Sequence, residues 1–260
     1  MAADPVLAVL AALFGAVIGS FLNVCILSWG AEPKRPVLTS RRSQCPHCGY
    51  EIRWYDNVPV ISWLLLRGRC RQCGNPISPM YPVVELATAL LWGLMVWRSG
   101  LSLEALRGAV FATLLVGITL TDARAYIIPD EFSLGGLVLG LAFALAAGLP
   151  VLGRAALGAG IGFGLLWLVG VLGTMAFKQD AMGGGDVKMM AMVGAFLGWQ
   201  GVLLTVFLGS LLGTLVFLPL HLMGNRRLVP FGIFLGLGAL ATYFVGPAIV
   251  AWYAGYLQAV

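Results

Sequence analysis

The sequence predicts an all-α fold: a polytopic transmembrane helix bundle of about eight helices with a small zinc-stapled cytoplasmic insertion. Three observations carry that prediction. The chain is 60% hydrophobic and only 10% charged, with a mean hydropathy of +0.92, a composition that no soluble domain of this size needs. Its apolar residues gather into eight stretches long enough to cross or nearly cross a bilayer. Between the first and second stretches lies a polar segment that holds four of the five cysteines in two close pairs.

The eight stretches fall at 5–28, 81–98, 103–121, 132–149, 151–176, 187–200, 201–222 and 229–257. The first lacks a basic start, since its only early charge is Asp4. Its length suits a retained helix rather than a cleavable signal peptide. The sixth is short, and its separation from the seventh rests on Gly198 and Gly201; a re-entrant or tilted arrangement is the alternative there. Many of the 35 glycines sit inside apolar stretches, as at Gly158-Ala159-Gly160 and Gly209, where small residues let helices pack closely.

Charge sets the expected orientation. The segment 29–80 carries Lys34, Arg35, Arg41, Arg42, Arg53, Arg67, Arg69 and Arg71 against Glu32, Glu51 and Asp56. That excess places it in the cytoplasm. Counting spans from there puts Arg124, Lys178, Lys188, Arg226 and Arg227 on the same side. Only Arg98, Arg107 and Arg154 fall opposite, so thirteen of the sixteen basic residues face one way. The net charge of +5 follows from this asymmetry, and nucleic acid is not an expected partner. The expected organisation is a first helix over 1–28, a cytoplasmic zinc-binding insertion over 29–80, and a transmembrane catalytic domain over 81–260.

The cysteines form Cys45-Pro46-His47-Cys48 and Cys70-Arg71-Gln72-Cys73, with 21 residues between the pairs. Two such knuckles can present four thiolates tetrahedrally, which suits zinc. Disulfides are disfavoured in a reducing compartment. Four thiolates close the coordination shell, so the ion is expected to be structural, a staple for an insertion poor in aliphatic side chains. His47 is expected to point outward, and Cys25 to be an ordinary buried thiol.

Two acids carry the functional expectation. Asp186 sits behind three glycines in Gly183-Gly184-Gly185-Asp186-Val187-Lys188, and Asp122 closes the third stretch. By the span count both lie at the cytoplasmic membrane face. A carboxylate at a membrane boundary is costly and therefore a functional candidate. Two close carboxylates share a proton and titrate as a pair. One can then act as base toward water while the other protonates the carbonyl or the leaving amine. Helix capping for Asp186 and a solvated boundary position for Asp122 are the bland alternatives. Asp130 and Glu131 follow Pro129 and read first as helix-start acids, with Asp130 able to support the site. Gly183, Gly185 and Lys188 are further candidates for site support. Glu85, just inside the second stretch, is an intramembrane acid whose role the residues alone leave open.

These motifs, taken in order, resemble the bacterial type IV prepilin peptidase family of GxGD-type aspartyl proteases. Gly19-Ser20-Phe21-Leu22-Asn23-Val24 resembles its opening motif. The two cysteine pairs with Asn57-Val58-Pro59-Val60-Ile61-Ser62-Trp63-Leu64 and Arg67-Gly68-Arg69 between them resemble its cytoplasmic region. Tyr81-Pro82-x-x-Glu85-Leu86, Asp122 with Ile128-Pro129-Asp130, and Gly183-x-Gly185-Asp186 complete the likeness. Ser28 and Met80 stand where basic residues are common in that family. The resemblance implies an inner-membrane endopeptidase, with Asp122 and Asp186 catalytic, that cuts the basic leader from type IV prepilins or type II secretion pseudopilins. It also implies methylation of the new N-terminus from S-adenosylmethionine. No glycine-rich motif for the methyl donor is visible; its site stays unassigned, with 57–71 and Glu85 the places to search.

Three rival classes are distinguishable. A transporter would distribute Glu85, Asp122 and Asp186 across the bilayer, whereas all three fall near one face. A non-catalytic zinc-binding assembly factor of a pilus or secretion machine would need the cysteines but not the aspartates. A peptidase without methyltransferase activity would need both.

Overall fold

A computed structural model describes residues 4–31, 33–34, 37, 43–224 and 230–259. Glu32, Arg35, Arg41, Arg42, Arg226 and Arg227 of the charge count lie outside them. The described residues are helical apart from the insertion, whose only strand-like pairings are the isolated bridges Gln44–Glu51 and Arg69–Pro76. The chain forms two compact units, Met1–Val116 and Gly117–Val260.

In the first unit, α1 (Pro5–Trp29) starts where Asp4 Oδ1 accepts the Val6 N–H at 2.9 Å and Pro5 supplies the first helical position. It packs antiparallel along α3 (Met80–Ser99). Phe14 meets Trp92 edge-on at 5.2 Å, and near the other end Asn23 Nδ2 donates to the Tyr81 carbonyl at 3.1 Å. Cys25 is buried in this seam. Trp92 Nε1 donates to Thr113 Oγ1 at 3.0 Å, which seats the first part of α4 (Leu103–Ala125) against α3. Between α1 and α3 the insertion holds two cysteine knuckles, a 3₁₀ turn at Trp54–Asp56 and the short helix α2 (Ile61–Leu65).

The second unit contains the end of α4, then α5 (Asp130–Ala146), α6 (Leu149–Phe177), α7 (Gly184–Leu222) and α8 (Phe231–Ala259). The stretches expected at 187–200 and 201–222 are one element, interrupted at Gly198, where φ is +71° and ψ 178°. That backbone conformation is open essentially to glycine alone, and the chain folds back there. The arm before Gly198 packs against α6, with the Gly158 and Gly194 backbones in direct contact, and Phe196 meets Phe143 of α5. The arm after it runs antiparallel to α8, pairing Thr205 with Thr242 and, further on, Phe217 with Phe234. At about 1.5 Å per residue the 39 residues would extend about 58 Å if straight, far more than a bilayer of about 30 Å requires.

Among the described residues six helices, α1, α3, α4, α6, α7 and α8, are long and apolar enough to cross a membrane, and the chain is a multi-pass membrane protein. The eight expected stretches thus appear as α1, α3, α4, α5, α6, the two arms of α7 and α8. α5, at 17 residues, sits at the lower limit for a span.

Candidate active site and metal centre

Asp122 lies one turn before the end of α4. The helix stops at Ala125, and Tyr126, at φ +57°, turns the chain while its N–H still donates to the Asp122 carbonyl at 2.9 Å. Extended backbone at Pro129 then leads into α5. The Asp122 side chain is buried. Its Oδ2 accepts the Ile233 N–H at 3.1 Å, and the Gly232 N–H also bonds the carboxylate. Both amides belong to the first turn of α8, where unsatisfied N–H groups and the helix dipole favour an anion. A Cβ on Gly232 would lie 2.8 Å from Asp122 Oδ2, so only glycine admits the carboxylate here.

Asp186 sits in the first turn of α7, its N–H donating to the Gly183 carbonyl at 3.2 Å. Its Oδ1 is buried and has no hydrogen-bond partner among the described residues, and its carboxyl feels the charge of Asp122. Ile128 fills the space between the two supports. A Cβ on Gly185 would come 2.9 Å from Ile128 Cβ, and one on Gly232 would come 2.8 Å from Ile128 Cδ1. Gly183 lies beside Asp186 Oδ2, whereas a Cβ on Gly184 would meet nothing within 4 Å.

Asp130 is the first residue of α5, behind Pro129, and makes no cap of its own. Its Oδ1 instead accepts from Lys188 Nζ at 2.7 Å, and both side chains are partly exposed. Glu85 belongs to the first unit. It is 7% exposed, accepts the Val60 N–H at 2.7 Å through Oε2, and hydrogen-bonds the Ser20 hydroxyl.

Sequence reasoning did not single out Ile128, Gly232 or Ile233 as supports of the acids. The only local signal is Pro230-Phe231-Gly232 at a helix start, where proline and exposed amides are expected.

The insertion brings Cys45, Cys48, Cys70 and Cys73 together, with all four Sγ atoms within 4.8 Å of one another and Cys45 3.9 Å from Cys73. The knuckles repeat the same backbone pattern. Cys45 N–H donates to Tyr50 O at 2.9 Å and Cys70 N–H to Asn75 O at 2.8 Å, and each loop closes on a glycine at positive φ, Gly49 and Gly74. The cluster can hold a metal ion. Zinc fits it, since Zn–S bonds of about 2.3 Å in a tetrahedron set the sulfurs about 3.8 Å apart. The backbone N–H groups of Cys73 and Gln72 draw the Cys70 thiol down to about 7. His47 is exposed and outside the cluster. The second knuckle is tied to the 3₁₀ turn by a bidentate pair, Arg71 Nε to Asp56 Oδ2 at 2.8 Å and Nη2 to Oδ1 at 2.6 Å. That guanidinium holds the buried Asp56 carboxyl below the usual carboxylate range.

A helical membrane protein with a buried Asp122 and the buried Oδ1 of Asp186 at helix ends, and a four-cysteine cluster between its first two spans, fits the intramembrane aspartyl protease class. Comparison with known proteins narrows this. Residues 13–99 match the bacterial peptidase A24 N-terminal domain, and residues 109–218 match the type IV leader peptidase family. The chain is 37% identical to a prepilin leader peptidase/N-methyltransferase of Myxococcus xanthus, over 85% of this chain and 65% of that one. It is 36% identical to proteins of the same description from Aeromonas hydrophila, over 93% of this chain and 91% of that one, and from Stutzerimonas stutzeri, over 97% and 96%. No solved structure matches. The chain belongs to the type IV leader peptidase family.

Proposed function

We propose that this protein is a membrane-embedded aspartyl endopeptidase that removes the leader peptide of type IV prepilins or type II secretion pseudopilins and N-methylates the new N-terminus. Asp122 and Asp186 are the catalytic pair. The observation that carries this reading is the placement of both acids at helix ends on either side of Ile128, one held by α8 amides and the other with a buried, unpartnered Oδ1. The family membership and the names of the relatives support it.

In this reading the Gly232 and Ile233 N–H groups fix the Asp122 carboxylate, while Asp186 Oδ1 accepts from water or polarises it. Water adds to the scissile carbonyl carbon as its proton passes to the unprotonated carboxylate. The protonated partner hydrogen-bonds the carbonyl oxygen, and a proton then goes to the departing amine as the C–N bond breaks. Gly183, Gly185, Lys188 and Asp130 support the pair. Cys45, Cys48, Cys70 and Cys73 hold structural zinc, which fills its shell with thiolates and staples the insertion. S-adenosylmethionine supplies the methyl group in the second reaction, with no residue assigned to it. The insertion over 29–80 and the active site over 81–260 face the cytoplasm of a bacterial inner membrane, which the distribution of basic residues supports.

Mass spectrometry of a type IV prepilin incubated with purified protein, with and without S-adenosylmethionine and beside Asp186→Ala, tests the proposal. Loss of the leader with the wild type alone, and one further methyl mass with the donor, is the expected result. An intact prepilin with folded, zinc-loaded protein would favour a non-catalytic assembly factor. Cleavage without methylation would mark a peptidase alone.

A further inference from the structure

The short helix α2 is amphipathic the wrong way round for water. Its residues Ile61, Leu64 and Leu65 share one face by their spacing and are 55%, 60% and 78% exposed. Ser62, by contrast, is buried, with its hydroxyl donating to the Tyr55 carbonyl at 2.8 Å, and Trp63 Nε1 turns inward to the Ile77 carbonyl at 3.2 Å. The polar residue points into the protein and the aliphatic ones point out.

The position of α2 along α3 explains the inversion. α3 has 20 residues, about 30 Å, which is just the thickness of the hydrocarbon core. The helix has no length to spare, so Glu85, five residues in, lies about 7 Å below the boundary. Val60, the residue before α2, donates its N–H to that carboxylate at 2.7 Å. It does so from φ +61°, a strained value for a β-branched residue. The hydrogen bond therefore pins the start of α2 at a depth where interfacial helices bury their apolar faces, about 5–10 Å into the headgroup–acyl boundary. Beside Glu85 in the sequence, Val83 and Leu86 of α3 are exposed at 59% and 50%, as the lipid-facing side chains of a membrane span are. Arg67 and Arg69, both exposed, follow within four residues of Leu65 and can reach anionic headgroups while their stems stay in the apolar layer.

We propose that α2 is an interfacial anchor: Ile61, Leu64 and Leu65 insert into the headgroup–acyl boundary of the surrounding bilayer, and Glu85 is the peg that holds the insertion there. The occupant of this face is lipid, and the inference does not depend on the proteolytic reading.

The test places a small fluorescent amino acid at one position at a time, Leu65, Leu86 or Gln72, in the full-length zinc-loaded protein. The protein is set in nanodiscs of phosphatidylethanolamine and phosphatidylglycerol that carry a nitroxide near the glycerol end of the acyl chain. Leu65 is expected to be quenched like Leu86 on α3 and about twofold or more beyond Gln72 on the second knuckle, as burial in the boundary requires. Adding Glu85→Leu, which leaves the Val60 N–H no side-chain acceptor, is expected to lower quenching at Leu65 and leave Leu86 unchanged. Quenching at Leu65 no greater than at Gln72, with Leu86 still quenched, would overturn the proposal. So would crosslinking of an unquenched Leu65 position to prepilin, which would make the face a substrate-docking surface.

Discussion

Lys188 Nζ and Asp130 Oδ1 meet at 2.7 Å across 58 residues of chain, joining the first turn of α7 to the first turn of α5. Each partner is the near neighbour of a proposed catalytic element. Lys188 follows Asp186 by two residues, and Asp130 ends the link that begins beyond Asp122.

Lys188→Met and Asp130→Asn should each slow leader cleavage several-fold through kcat, with the melting temperature nearly unchanged. A partly exposed ion pair contributes only about 0.2–1 kcal/mol to stability. The double variant should be little worse than either single one, because both remove the same contact. Steady-state kinetics on a prepilin peptide check this; additive losses would mean that the two residues act separately.

Asp122→Asn and Asp186→Asn should each lower cleavage by at least about 10²–10⁴-fold, the usual contribution of acid–base groups, while the protein stays folded and inserted. Single-turnover cleavage with circular dichroism on the same preparations measures both. Retained cleavage in either variant would remove that residue from the catalytic pair.

The three glycines before Asp186 should not be equivalent. Gly184→Ala should be tolerated, since its Cβ meets nothing within 4 Å and alanine suits a helix start better. Gly185→Ala would press on Ile128, an overpacking that costs about 1–3 kcal/mol. Gly232→Ala should displace the Asp122 carboxylate and reduce kcat. Activity and thermal stability across the three variants give the ranking.

Stripping the metal with a chelator, or replacing Cys45 or Cys70 by serine, should loosen the insertion while leaving the helices of the second unit folded. Hydrogen exchange localises the change: rapid exchange in the knuckle amides and unchanged protection in α6 and the first arm of α7. Global loss of protection would mean that the staple supports more than the insertion.

Asp56→Asn should lower the melting temperature without changing the shape of the pH–rate profile between pH 6 and 8. Arg71 depresses the folded pKa of Asp56 below 3.8. Its stabilisation is therefore complete well above that value and is lost only as pH falls through it toward the lower folded pKa. A profile that shifts near neutrality would contradict this assignment.

The fold was legible wherever apolar length decides the outcome. The stretches read at 5–28, 81–98, 103–121 and 151–176 lie within a few residues of α1, α3, α4 and α6, because a membrane leaves the backbone few other options. The break near Gly198 was legible as the boundary between two spans, but the partners of each arm were not, since residue types do not encode which neighbour each arm meets. The knuckles were readable from Cys-x-x-Cys spacing. The supports of Asp122 were not, because Ile233 contributes only a backbone N–H and Gly232 only the lack of a side chain. The exposed face of α2 was hidden for a related reason: residue types in so short a helix do not say which side turns outward.

The fold-back at Gly198 bears on how the protein enters its membrane. Between Lys188 and Arg226 the sequence contains no acidic, lysine or arginine residue, so nothing charged has to be carried across with the turn, a transfer that costs several kcal/mol per ionised group at the bilayer centre. The two arms of α7 can partition together as a preformed hairpin. Lys188, at the start of the first arm, then stays at the surface from which insertion began.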